Sequence, residues 1–544
     1  MILKCLPLVL AAGLAAAPLV CAAEIPAIAK SAAGGQLIVR GKPFLILGGE
    51  LGNSSAGTAA EADTVLPHLA QLHVNTALIP VAWEQIEPVE GSFDFSILDH
   101  WIDVAREQHV RLVPLWFGSW KNSVSTYAPA WVKQDTKRFP RAISADGQEI
   151  EILSTSGAET LRSDSRAFAE LMKHIRAKDQ DQQTVLMVQV ENEVGYLGRG
   201  RDRSAEANRL FRGPVPPELL HKLEGRREAF SPELRAHFHP AGKSWAEVFG
   251  EAADEVFMAW NYARFIEAVT EQGKQAYPLP MYVNCQLPAP AERAGEYPSG
   301  GPHPYYLEVY RATAPALDFF SPDIYWPNFE YWIDRYKFDG NAVFVPEARL
   351  DAAPFNALYA YGQAGAFGFS PFAIESAPVS SEAANSGPGI GQVYQLLDSM
   401  GDILLAGQAA HKTRALVLHA NSPRGSQTVA LGGYLFEATL ARSWPARTLM
   451  EDDGAMLVLE TAPNEFLIAG SGVTVSFFRD PDVDDKTGGI ASVEEVSGSN
   501  GNWTTLRRLN GDQTNQGRQL QTIPHQIHLY RVKLYATEKA GRQP

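Results

Sequence analysis

The sequence is poor in cysteine and in positive charge, and each shortage excludes a class of protein. It has 3 cysteines in 544 residues, and two of them, Cys5 and Cys21, lie in an N-terminal stretch that resembles a secretory signal. Removal of that stretch leaves Cys285 alone, so a disulfide within one mature molecule is excluded. The 47 basic and 62 acidic residues give a net charge of −15, which argues against nucleic acid or an anionic membrane as a partner.

Long apolar runs are scarce beyond the N-terminus. There, Lys4 precedes the apolar residues 6–20, and small residues follow, so we predict that residues 1–23 are a signal peptide. The protein is then secreted or periplasmic. Lipid attachment at Cys21 is the alternative, but Val20 is larger than such signals prefer. No later run is long and apolar enough to span a bilayer, so we expect no membrane insertion.

Motifs for metals, nucleotides and serine nucleophiles do not rise above chance. We find no cysteine cluster and no significant HExxH, GxxxxGKS/T or GxSxG pattern, and we therefore expect no metal and no cofactor. The 45% hydrophobic and 10% aromatic content supports sizeable cores, and the length suits two or three domains.

A buried strand, a polar or aromatic strand end and a helix alternate along residues 24–410. This rhythm predicts a catalytic (β/α)8 TIM barrel with its active site where the strands end. Residues 197–255 exceed the minimal repeat, and we interpret them as a long loop with short helices that walls the cleft, either as an arginine-lined grip for acidic sugars or as a salt-bridged surface. The predicted strands lie near residues 44–49, 75–81, 111–117, 184–190, 280–286, 317–326, 342–345 and 366–374.

The remaining residues, 411–544, change pattern to short alternating strands separated by Gly, Asn, Asp and Pro turns. This predicts a C-terminal all-β domain resembling a sandwich. Trp503 in this domain either binds carbohydrate or, as is commoner for an isolated tryptophan, packs in the core.

The fourth predicted strand ends in an unusual group of polar residues. In TVLMVQVENEVG (residues 184–195), alternation places Glu191 and Glu193 on one face and Asn192 on the other. For Asn192 and Glu193 both to face a ligand, the strand must bulge or break at its end.

A second carboxylate follows the seventh strand, where AVFVPEARL places Glu347 after a buried run. Two carboxylates at the ends of parallel strands suggest acid/base or nucleophilic chemistry on a sugar. The alternative for either glutamate alone is that the chain has merely reached water.

The segments GKPFLILGGE, NTALIPVAWEQIEPVEGSFDFS and VQVENEVG resemble glycoside hydrolase family 35, the β-galactosidases of a retaining (β/α)8 clan, across residues 41–375. The resemblance implies that Glu193 is the general acid/base and Glu347 the nucleophile. It also implies that Asn192 holds the sugar 2-hydroxyl and that Tyr325 is placed to donate to the nucleophile. Further candidate sugar contacts at strand ends are Trp83, Trp120 and Asn122.

The sequence departs from the usual family pattern in its second and third strands, which read LIPVAW and LWFGSWKNS. It looks like a bacterial branch with a C-terminal β domain, some of whose members act on galactose side chains of xyloglucan. We therefore expect a secreted, exo-acting, retaining β-galactosidase with a carbohydrate substrate. The alternatives are a family 42-like enzyme, a β-glucosidase, an α-arabinosidase or a non-catalytic glycan-binding barrel. The exact glycan, its linkage and the oligomeric state stay open.

Overall fold

The computed structural model of the chain describes residues 25–31, 34–198, 200–289, 291–379, 388–421, 425–442 and 452–539. The predicted signal peptide, with the lipid alternative at Cys21, lies outside these residues. Within the described part of the chain, no helix combines the length and the apolarity needed to cross a bilayer.

Eight parallel strands close into a barrel, and a helix follows each of them along the chain. The strands are buried on both faces almost throughout, which is why they appear in the sequence as continuous apolar runs. This confirms the predicted (β/α)8 TIM barrel. In chain order the barrel strands are β1 (Ile46–Glu50), β2 (Thr76–Ala82), β3 (Arg111–Lys121), β4 (Val188–Asn192), β5 (Met281–Gln286), β6 (Phe319–Ile324), β7 (Phe344–Ala348) and β8 (Gly368–Pro371).

The helices after the strands pack their apolar sides on the outside of the barrel. In the second of them, the buried Leu98, Ile102 and Ala105 recur at the spacing of one helical face. These helices are Ala59–Gln71, Ser96–Glu107, Ala158–Asp179, Ala253–Ala276, Leu307–Thr313, Phe329–Asp334, Ala353–Gly362 and Ile390–Ala409.

The bottom of the barrel is closed by a small N-terminal sheet. Its strands are Ala27–Ser31, Gly34–Val39 and Lys42–Phe44, and they pair in chain order. Leu37 and Val39 of this sheet belong to one buried cluster with residues from the amino-terminal halves of the barrel strands. The opposite end, where the strands finish, is therefore left for a ligand.

The insertion at residues 197–255 forms short helices, as predicted: Ala205–Arg212, Pro217–Glu224, Pro232–His237 and Trp245–Phe249. Its arginines are paired with acidic residues, for example Arg201 with Asp254 and Arg226 with Glu308. The described residues that line the cavity at the strand ends include none from this segment. The insertion is thus a salt-bridged layer, and the expected wall of the cleft is supplied by other loops.

The C-terminal part is an all-β domain of two sheets, as predicted. Its first strand begins at Thr413, after the last barrel helix ends at Ala409. The six-stranded sheet has the order Thr413–Leu418, Gly454–Ala462, Glu465–Ser471, His528–Glu538, Lys486–Ser499 and Asn502–Leu509. The four-stranded sheet has the order Gln427–Leu431, Tyr434–Leu440, Val473–Arg479 and Gln519–Gln521.

The six-stranded sheet packs against the barrel without a gap. Ala415 and Leu457 belong to the main core cluster together with barrel-helix residues. A Cβ on Gly362 of the barrel would lie 2.7 Å from the Ala415 Cβ. Trp503 also packs against this core. This position corresponds to the packing interpretation of that tryptophan.

Candidate active site

A cavity of about 340 Å³ lies at the carboxyl ends of the barrel strands. Its lining comes from residues at or just after the ends of seven strands, all except β2. In a parallel barrel these ends converge on one face, so side chains that are distant in sequence meet there.

The end of β4 is irregular, as we predicted for a strand whose Asn192 and Glu193 both face a ligand. Glu191 and Glu193 both have a positive φ, 60° and 44°, and the pairing of β4 with β3 shifts register there. Such a conformation costs about 1–3 kcal/mol per residue and persists only where neighbours enforce it. Asn284 Oδ1 accepts from the Glu193 N–H at 2.9 Å, and Ser123 Oγ donates to the Glu193 carbonyl at 3.1 Å.

Glu191 does not serve the cavity but anchors the end of β3. Its carboxylate accepts from the backbone N–H groups of Ser119 and Trp120 at 3.2 and 2.8 Å. The buried Asp164 accepts from Ser119 and from the Trp116 indole at 2.9 Å. Burial, followed by the charge of Asp164, raises the pKa of Glu191 well above its usual value. This buried carboxyl pair fixes the backbone that carries the next residue of β3, Lys121.

Glu193 and Glu347 meet across the cavity, together with Asp323 from β6. One carboxyl oxygen of each lies within 4.8 Å of the others. Tyr325 Oη donates to Glu347 Oε2 at 3.1 Å. Burial and then the Glu347 charge raise the pKa of Glu193 to about 7, against smaller lowering effects of Lys121 and Asp323. The arrangement therefore favours a protonated Glu193 near neutral pH.

Asn192 is oriented by a cation. Lys121 Nζ donates to Asn192 Oδ1 at 2.9 Å, and a lysine ammonium has no acceptor. The contact therefore fixes which end of the amide is oxygen. Asn192 Nδ2 is left buried and without a hydrogen-bond partner among the described residues.

Two of the five predicted substrate-binding residues line the cavity. Tyr325 and Asn122 are both part of its wall, and Tyr325 also reaches Glu347 as described. Trp326, which was not predicted as a sugar contact, lines the cavity beside them.

Trp83 and Trp120, which were also predicted as sugar contacts, lie in the core. Trp83 is fully buried, and its indole N–H donates to Glu87 Oε2 at 2.9 Å. Trp120 is equally buried, and its Nε1 donates to the Leu153 carbonyl at 3.1 Å. Since Lys121 lines the cavity, the preceding residue points the opposite way, toward the helices. The structure thus gives neither indole a surface for a sugar, and both pack around the strand ends instead.

Sequence reasoning missed Lys121, Asp323 and Glu50 as members of the site. Glu50, at the end of β1, is fully buried, and neither of its carboxyl oxygens has a hydrogen-bond partner among the described residues. Burial and then the Glu347 charge raise the pKa of Glu50 well above its usual value. Its signal was the same as for the predicted pair, a carboxylate directly after a buried strand.

The three clustered carboxyls are also close enough to surround a cation. However, Tyr325 already donates to Glu347, and Asn284 Nδ2 donates to Asp323 at 2.7 Å. We therefore interpret the cluster as carboxyls that share protons and hydrogen bonds.

Comparison with protein families gives two partial matches. Residues 57–226 match the model of glycoside hydrolase family 42, described as "Beta-galactosidase". The match spans β2 to β4 and includes Glu193. Residues 390–521 match a domain of unknown function, DUF5597. The first half of the barrel is thus similar to β-galactosidases of the retaining (β/α)8 clan, and the family matched is family 42, one of the predicted alternatives. Membership of family 35 stays a prediction.

Solved structures give distant likenesses. The β-galactosidase from the psychrophilic Marinomonas ef1 is 13% identical, with 60% of this chain and 53% of that chain covered and a TM-score of 0.41. The β-galactosidase from Bacillus circulans sp. alkalophilus is 15% identical, with 60% of this chain and 50% of that chain covered and a TM-score of 0.41. The β-mannanase from the blue mussel Mytilus edulis is 12% identical, with 70% of this chain and 98% of that chain covered and a TM-score of 0.41. The chain spans about half the length of these galactosidases, and a search of curated proteins finds no match.

Proposed function

We propose that the protein is a secreted, retaining glycoside hydrolase that removes terminal β-galactosyl residues from plant-type oligo- or polysaccharides. The observation that carries this proposal is the approach of Glu193 and Glu347, whose nearest carboxyl oxygens lie within 4.8 Å at the ends of β4 and β7. Retaining glycosidases place their two carboxyls about 5–5.5 Å apart, whereas inverting enzymes need about 6.5–9.5 Å to admit a water.

In this proposal the reaction is a double displacement. Glu347 attacks the anomeric carbon as a carboxylate, while Glu193 protonates the leaving oxygen and the glycosidic bond breaks. Glu193 then takes a proton from water, and the water oxygen replaces Glu347 at the same carbon. The sugar leaves with its original configuration, and both glutamates return to their starting states.

The electrostatics of the site support one residue acting as acid and then as base. The charge of Glu347 helps to hold the proton on Glu193 before attack. Once Glu347 is esterified, that charge is gone, and the pKa of Glu193 falls toward the value that a base requires. The same neighbour thus favours each role in turn.

The sugar specificity rests on weaker support. The family 42 match favours a β-galactoside, and the resemblance to family 35 favours xyloglucan side chains among plant glycans. A cavity of about 340 Å³ is at the small end of the range for ligand sites, about 300–1,000 Å³, which suits one terminal sugar ring.

The test is hydrolysis of aryl β-galactoside, β-glucoside and α-arabinoside beside galactosylated xyloglucan, with the product anomer followed by proton NMR. We expect the galactosides to be cleaved fastest and the β-anomer of galactose to appear first. An α-anomer as first product would refute the retaining mechanism. Binding of glycans without turnover would instead support the alternative of a non-catalytic barrel.

A further inference from the structure

Asn284, on the inner face of β5, connects Glu193 to a third carboxyl. Its Oδ1 accepts from the Glu193 backbone N–H at 2.9 Å, and its Nδ2 donates to Asp323 Oδ2 at 2.7 Å. A backbone N–H can only donate, so the orientation of the Asn284 amide is fixed. Asp323 Oδ2 therefore accepts the second hydrogen bond of the Asn284 amide. A proton on Asp323, when present, lies on the other oxygen, Oδ1.

Asp323 has little access to solvent and is incompletely bonded. It is 1% exposed, and its Oδ1 accepts from no donor among the described residues. One oxygen of the Asp323 carboxyl lies within 4.8 Å of one oxygen of the Glu193 carboxyl. Two carboxylates this close in a buried site repel unless a proton lies between them. The only oxygen of Asp323 left to carry that proton is Oδ1.

The surroundings favour a neutral Asp323. Burial comes first among the causes that raise its pKa well above the usual value, followed by the charges of Glu347, Glu193 and Glu50. The Lys121 charge lowers the pKa of Glu50 and of Glu193, whereas the main causes that act on Asp323 all raise its pKa.

We propose that Asp323 is a positioning residue that donates a hydrogen bond from Oδ1 to the carboxyl of Glu193 while Asn284 holds Asp323 in place. This proposal rests on the proposed role of Glu193 as acid/base. The bond occupies one oxygen of Glu193 and leaves the other to face the scissile oxygen. In the second step it stabilises Glu193 as a carboxylate while water is deprotonated.

Two substitutions of similar size separate this role from simple packing. In Asp323→Asn, the amide oxygen accepts from Asn284 and the amide NH₂ donates to Glu193, so the variant mimics the neutral acid. In Asp323→Leu, both bonds are lost at nearly the same volume. We expect D323N to keep kcat/KM within about 3-fold of wild type and D323L to lose about 100-fold on galactosides with poor leaving groups.

The leaving-group series supplies a readout that a structural role does not move. With 2,4-dinitrophenyl galactoside, which needs little protonation, D323L is expected to lose less than about 5-fold in kcat/KM. The basic limb of its pH profile should also move to higher pH, because the bond from Asp323 lowers the pKa of Glu193. D323N should show neither change.

Each outcome of these experiments either supports or overturns the proposed role of Asp323. Equal losses in D323N and D323L would show that the ionised carboxylate is what matters and would overturn the proposal, as would a D323L loss that is uniform across leaving groups. If D323L does not fold, D323N decides alone: activity near wild type supports the proposal, and a loss above about 30-fold overturns it. A folded wild type that cleaves no glycoside would refute the proposed function itself, and this inference with it.

Discussion

Lys121 donates from Nζ to Asn192 Oδ1 at 2.9 Å, and the two residues are paired across β3 and β4. This contact turns the Asn192 NH₂ group into a buried donor with no partner among the described residues. An unpaired buried donor costs about 1–3 kcal/mol, which a ligand acceptor would recover. That Asn192 binds the sugar 2-hydroxyl, whose oxygen can accept such a bond, stays a prediction.

The first prediction concerns Asn192→Ala. If the amide binds the 2-hydroxyl mainly in the transition state, kcat and kcat/KM on galactosides should fall together by a factor that corresponds to several kcal/mol. The loss on 2-deoxygalactosides, which lack the partner, should be far smaller. Steady-state kinetics on both substrates measures the difference. The same loss on both would mean that Asn192 does not contact the sugar 2-position.

A second prediction follows for Lys121→Met, which removes the charge and keeps the apolar stem. Because Lys121 orients Asn192, the variant should lose about 10- to 100-fold on galactosides, and much of that loss should disappear when Asn192→Ala is already present. The basic limb of kcat/KM should also move to higher pH, because the Lys121 charge lowers the pKa of Glu193. Independent, additive losses would contradict the coupling.

The barrel was predictable because its strands are buried on both faces and therefore leave continuous apolar runs that end abruptly in polar residues. The same signal located Glu193 and Glu347. It did not reveal the backbone at residues 191–193, since positive φ values at two glutamates depend on partners such as Asn284, which lies 91 positions beyond Glu193.

The direction of the side chains at the strand ends was the other feature that the sequence did not reveal. Trp120 and Lys121 are adjacent, and Lys121 is the one that lines the cavity, next to a register shift of β3 against β4 that the sequence does not show. An aromatic residue at a strand end is a reasonable sugar contact by type, yet the outward one packs against Tyr262 and Phe265. Asp323 and Glu50 were visible as strand-end acids, but their link to the predicted pair is made only by the closed barrel.

The third prediction separates the two glutamates kinetically. Glu347→Gly should abolish turnover and allow rescue by an external anion from the opposite face, because the missing group is the nucleophile. Glu193→Ala should keep much of its glycosylation rate on substrates with very good leaving groups, with slow deglycosylation that azide accelerates. Glycosyl azide products of opposite anomeric configuration from the two variants would assign the roles. Loss of both steps in both variants without rescue would reject them.

The fourth prediction concerns the proton on Glu193. With a pKa raised to about 7 by burial and the Glu347 charge, Glu193 should be protonated below that pH, so kcat/KM should fall as pH rises through about 7. Removing the charge with Glu347→Gln should lower the pKa of Glu193, although burial, Lys121, Asp323 and Glu50 remain around it. Carbon NMR of labelled glutamate, with Glu193→Gln to assign the signal, measures the shift. An unchanged titration in Glu347→Gln would show that the two carboxyls are not coupled.

The last prediction concerns the contact between the barrel and the β domain. His419 in the β domain lies between two carboxylates, Asp453 at 2.8 Å from Nδ1 and Glu330 of a barrel helix at 3.1 Å from Nε2. The hydrogen bonds to Asp453 and then to Glu330 raise the pKa of His419 to about 10. A raised pKa means that the ion pairs contribute their full stability below the unfolded pKa of about 6.5 and lose it as pH rises through about 10.

His419→Gln should therefore lower the thermal midpoint at pH 7, and the gap to wild type should close near pH 10.5. The side chain is 37% exposed, so solvent screens the pairs and we expect about 1 kcal/mol, or about 1 °C for a chain of 544 residues. Calorimetry across pH measures the gap, and His525→Gln, whose ring contacts only the nearby Asp452 at 3.3 Å among carboxylates of the described residues, is the matched control. Added salt should shrink the His419 effect. A gap of the same size at pH 7 and pH 10.5 would show that shape, and not the charge on His419, joins the two domains at this point.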